Sequence, residues 1–122
     1  MIKKDSIELV SKEDMDSGLR RNDDKKPHHI GHRKRLRERF LQHGPEVLAD
    51  YELLEMILFP AKPMGDVKPL AKALLAYFGS FGKVLHAEPL ELMKVEGIGE
   101  AAVVAIKVAK AAAERLLKEE VA

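Results

Sequence analysis

The chain of 122 residues has no cysteine and no tryptophan, and only six aromatic side chains, four Phe and two Tyr. The missing cysteine excludes disulfides, thiolate metal ligands and thiol nucleophiles, and fits a reducing cytoplasmic setting. Scarce aromatics beside abundant Leu, Ala and Val disfavour a β-sandwich and favour packed helices, because strands draw on β-branched and aromatic residues. Long apolar runs are missing as well. A run such as Met56–Pro60 is far too short to cross a bilayer, and no signal-type apolar stretch opens the chain, so no membrane partner is expected. Nor is there a catalytic set. The chain has no Gly-Lys-Ser/Thr phosphate loop and no activated serine, and its acidic residues read as solubility charges scattered over helix surfaces.

What is present suffices for one domain, with 46% hydrophobic residues to build a core. The net charge of +1 hides an uneven distribution. Residues 25–43 carry seven basic side chains and one acidic, whereas residues 79–122 carry six basic and seven acidic. An anionic partner would be attracted first to the basic stretch.

Residues 1–27 mix charges without a persistent apolar period and read as a disordered tail, leaving a domain over 28–119. A first helix is expected over Gly31–His43, with Leu36, Phe40 and Leu41 as its apolar stripe and Gly44-Pro45 as its end. Asp50 caps a second, over Tyr51–Phe59, apolar almost all round and therefore central. Asp66 caps a third, over Val67–Phe78, stopped at Gly79. Ser80 caps a short helix with Phe81, Val84 and Leu85, and Pro89 starts another that runs to Lys94. The last helix covers Glu100 to about Lys118, with Ala102, Ile106, Ala109, Ala113 and Leu116 on one face. Residues 51–78 and 89–118 both read helix, short glycine-bearing loop, helix. The fold expected is all-α, five to six short helices in a compact tandem helix-hairpin-helix bundle with pseudo-twofold symmetry.

The loop Gly97-Ile98-Gly99 carries the most chemistry. Two glycines give the backbone freedom and let a phosphate approach the main chain. Ile98 between them can plug into the core. The helix beginning at Glu100 leaves its first N–H groups without intrahelical partners, and these, with the helix dipole, attract an anion. A phosphodiester held in this way is gripped without reading bases. Lys94 and Lys107 are the nearest cationic partners. Gly-x-Gly alone is also an ordinary tight connection, but its place between a Pro-started apolar segment and an Ala-rich one favours the hairpin. Opposing tight binding, Glu96 and Glu100 flank the loop, and Ala101 and Ala102 stand where many such hairpins carry Lys.

The second notable stretch holds Arg33, Lys34, Arg35, Arg37 and Arg39 within seven residues, opposed only by Glu38. It can track phosphates with a strong salt dependence, or be a solvated helix face with Arg stems on the core; charge alone leaves both open. His28 and His32 are spaced as helical metal ligands can be. Gly31 interrupts them, cations follow and no carboxylate is near, so no metal is expected.

The segments Gly31-His32-Arg33-Lys34-Arg35-Leu36-Arg37-Glu38-Arg39-Phe40, Leu48-Ala49-Asp50-Tyr51-Glu52-Leu53-Leu54-Glu55, Lys68-Pro69-Leu70-Ala71, Phe78-Gly79-Ser80 and Val95-Glu96-Gly97-Ile98-Gly99-Glu100-Ala101 together resemble the N-terminal region of RadC-type proteins, over about residues 27–118. The resemblance implies a DNA-repair-associated helix-hairpin-helix domain, followed in the family by a JAMM metalloprotease-like domain that binds zinc through a His-x-His motif and an Asp. This sequence has no His-x-His and no histidine after His86, so those residues map to no position here and no cofactor is expected in this chain. Two roles follow. One is a non-enzymatic DNA-binding module using Lys94, Gly97, Ile98, Gly99, Lys107, Arg33, Lys34, Arg35 and Arg37. The other is a protein-interaction domain that targets a hydrolase domain elsewhere in a longer parent. Catalysis by this chain itself is not expected.

Overall fold

The computed structural model describes residues 31–121. The expected tail over 1–27 and His28 lie outside the described residues. Within them are six α-helices and no strand: α1 His32–His43, α2 Asp50–Leu58, α3 Lys68–Phe78, α4 Phe81–His86, α5 Pro89–Leu92 and α6 Glu100–Val121, with 3-10 turns at Pro45–Val47 and Phe59–Ala61. The described residues are all-α, as the composition implied. Its contacts divide it into two units, Met1–Val47 and Leu48–Ala122, and each is described by itself.

In the first unit, α1 ends where the Gly44 amide donates to the Phe40 carbonyl at 2.9 Å. Leu36 is buried and Phe40 half-buried, but Leu41 is 46% exposed, so the apolar stripe is narrower than its sequence suggested. The Arg39 guanidinium donates to the Val47 carbonyl at 3.0 Å and ties the 3-10 turn back to the helix.

In the second unit, α2 packs on α3 and α6, and α4 packs on α3 and α6. The shared core holds Leu54, Leu58, Ala71, Leu74, Leu92 and Ile106, each fully buried. Local chemistry sets the helix ends. The Glu52 carboxylate accepts the Ala49 amide at 2.9 Å, which caps α2 from its third residue because Ala49 has no side-chain acceptor of its own. α3 starts one residue later than expected, so Val67 takes the cap position in place of Asp66, which stands one residue before it and accepts the Lys68 amide at 3.0 Å. Ser80 accepts the Lys83 amide at 3.1 Å and starts α4. Pro89 opens α5, which is shorter than expected and passes through turns at Lys94 and Val95.

Two further sequence expectations are corrected. Glu55 is not a surface charge; it is wholly buried on α2. The expected face of α6 is buried only as far as Ile106. Ala102, Val103 and Ile106 enter the core, whereas every residue from 111 to 121 is exposed, Leu116 and Leu117 included. The helix simply outruns the core it packs on.

Candidate functional site

Gly97 has φ +97°, a conformation that side-chain-bearing residues rarely adopt, and a Cβ there would lie 3.3 Å from Leu70 Cδ1 on α3. The positive φ favours glycine, and a Cβ would also ask the Leu70 methyl to give way by a few tenths of an ångström. Ile98 beside it is buried, 6% exposed, and its amide donates to the Val95 carbonyl at 3.1 Å. A plug between two exposed glycines is what keeps the turn in one shape. The Val103 amide reaches the Gly99 carbonyl at 3.0 Å, which makes Gly99 the first residue whose carbonyl serves α6.

Ahead of that bond, the amides of Gly99, Glu100 and Ala101 meet no acceptor among the described residues, and all three residues are exposed. They are the free donors expected of a helix start, gathered at the positive end of a helix of 22 residues. Glu96 and Glu100 are exposed, and neither carboxylate caps these amides. On one side of the turn a shallow depression is lined by Pro60, Ala61, Glu100, Ala101, Val104 and Ala105.

A cation missed by sequence reasoning sits at the turn. The Lys62 ammonium donates to the Gly97 carbonyl at 2.9 Å, across 35 residues of chain. It gets there because the Phe59–Ala61 turn packs on α6. Lys94, which the sequence did nominate, is exposed and pairs with Glu91 at 3.0 Å. That hydrogen bond and charge raise its pKa, and nearby Tyr77 adds to the effect, so the ammonium stays protonated.

Lys107 stands elsewhere. Its ammonium donates to the Leu85 carbonyl at 2.7 Å and the Ala87 carbonyl at 2.6 Å, closing the C-terminal end of α4. Partial burial, with Lys110 adding to it, lowers its pKa against the pull of Glu88 and Glu114. These bonds fix it as a structural pin two turns into α6, and they do not bring it to the glycine turn.

The basic residues of α1 belong to the other unit. Arg35 and Arg37 are exposed and Arg33 is half-buried. The Lys34 side chain is only 12% exposed, with its ammonium 3.7 Å from Glu38. The stretch is thus a mixture of presented and packed cations. A further pair missed by the sequence reading is Lys68 and Lys72, which lie 5.9 Å and 4.7 Å from the ring centre of Tyr51. Among the described residues no group of three His, Asp or Glu is placed to hold a metal, and no helix is long and apolar enough to cross a membrane.

Residues 28–104 match the family described as UPF0758 N-terminal. A UPF0758 protein of Rhodobacter capsulatus is 58% identical over 86 residues, which are 70% of this chain and 40% of that protein. A UPF0758 protein of Ruegeria pomeroyi is 50% identical over 90 residues, 74% of this chain and 40% of that one. The chain thus spans about two fifths of the length of these relatives. No solved structure matches it. The glycine turn, all of α1 and the core except Ile106 fall inside the matched segment, and the chain belongs to the UPF0758 family as its RadC-type N-terminal region.

Proposed function

We propose that this chain is a non-enzymatic DNA-binding module of a RadC-type, DNA-repair-associated protein, gripping the phosphate backbone without reading sequence. The observation that carries this reading is the set of exposed amides at Gly99, Glu100 and Ala101, which no acceptor or carboxylate covers, beside the Lys62 ammonium held at the same turn. Outward N–H groups with a fixed cation suit a phosphodiester oxygen in both charge and geometry. Gly97 and Ile98 shape the turn, and Lys94 adds a further charge beside it. Arg33, Arg35 and Arg37 on α1 offer a second place for phosphates.

The test is binding of labelled DNA followed by anisotropy over a range of KCl concentrations. Affinity should fall steeply with salt, and Lys62→Met with Lys94→Met should weaken it for every sequence alike. Binding that is absent at low salt, or indifferent to salt, removes the reading.

A second role is favoured by one observation, the exposed Leu116, Leu117 and Val121 on α6. Such side chains suit a protein contact, in which the chain would direct a hydrolase domain of a longer parent to its target. Zinc chemistry would belong to that further domain. A protein partner whose retention survives nuclease but disappears in Leu117→Asp would support this role over the first.

A further inference from the structure

Tyr77 is exposed for 55% of its surface, on a chain with only two tyrosines and no tryptophan. It is not a loose surface ring. Phe78 meets it edge-on, with ring centres 4.7 Å apart and planes at 78°, and Phe78 itself packs on the core. Its position matters more. Leu70 on the same helix abuts Gly97, and seven residues along an α-helix return to the same face about 10 Å further on. Tyr77 therefore stands on the α3 face that carries the glycine turn, two helical turns from it. Lys94 is next to the turn in sequence and is paired with Glu91 at 3.0 Å. An open aromatic ring thus lies on the α3 face against which the glycine turn packs.

We infer that Tyr77 is a stacking platform for an unpaired base, so that the site takes single-stranded or locally opened DNA in preference to intact duplex. This rests on the phosphate-binding reading above. Bases in a duplex are stacked on one another and hide their faces, and an aromatic ring at the surface can engage only a base that has left the stack. Stacking tolerates any base, which agrees with a grip that reads no sequence.

Two tyrosines make the test clean. Protein labelled with 3-fluorotyrosine has two fluorine resonances, and Tyr51→Phe leaves that of Tyr77. Titration with an oligothymidine should shift the Tyr77 resonance, and an equal length of blunt duplex should shift it much less. Tyr77→Leu should weaken single-strand affinity about tenfold while leaving duplex affinity within about twofold, and Tyr77→Phe should keep both. An unmoved Tyr77 resonance at saturation, or a Tyr77→Leu protein that binds single strands as tightly as the parent, overturns the inference while salt-dependent duplex binding keeps the phosphate reading alive. Failure to bind either form overturns both.

Discussion

At Gly97 two constraints coincide, a positive φ and the Leu70 methyl just beyond the missing Cβ. Gly97→Ala should therefore lower stability by about 1–3 kcal/mol, read as a shift of the urea midpoint at unchanged slope. Gly82, with open space around its Cβ direction and inside α4, makes a control; alanine there should be neutral or slightly stabilising by about 1 kcal/mol or less. Lys107 separates position from charge. Lys107→Met would strand two carbonyls at the end of α4 and should cost about 1–3 kcal/mol in thermal unfolding, yet leave the salt dependence of DNA binding unchanged. Lys62→Met should do the reverse. Its bond to the Gly97 carbonyl is near solvent, so stability should fall by less than about 1 kcal/mol, while the plot of log affinity against log salt flattens by about one unit for each phosphate that is no longer neutralised.

Among the elements, α6 divides most sharply. Its first two turns are clamped by the core and its last three bury nothing. Removal of residues 111–121 should thus lower stability by less than about 1 kcal/mol, and amide protection in hydrogen exchange should decline stepwise beyond Lys110 rather than end abruptly. The Lys110–Glu114 pair, 3.5 Å apart, gives the overhang a little local support. This is also where sequence reading meets its limit. Periodicity reports which residues share a face but not how far a partner extends along it, so the pattern puts Ala113 and Leu116 in the core. Glu55 fails in the opposite direction, because a charged residue among apolar neighbours on α2 gives no sign of its depth. The helix starts, and the stop of α3 at Gly79, are legible to within a residue, since Ser80, Gly79, Asp66 and Pro89 each act through their own backbone or side-chain geometry, whereas the ends of α5 and α6 are displaced by two and three residues. The glycine turn is legible for the same reason. Lys62 is not, because only packing of the Phe59–Ala61 turn on α6 brings it there, and the face of Tyr77 is not, because only the approach of Leu70 to Gly97 identifies it.

For the molecule as a whole, charge is split between the α1 stretch and the lysines of the second unit, and the two contributions can be told apart. Arg35→Ala with Arg37→Ala, and Lys62→Met with Lys94→Met, should each reduce the salt slope by up to about two if both regions neutralise phosphates. A slope unaffected by the α1 pair would confine binding to the glycine turn. The match to the family runs through both regions, from residue 28 to 104, and stops before the exposed part of α6. That part adds a mechanical property. Eleven residues at about 1.5 Å each carry the end of the helix some 16 Å beyond the packed interior, and the rod starts from an anchored helix, so it needs no nucleation of its own. Its far end, at Val121, is held at arm's length and turns with the body to which the arm is fixed.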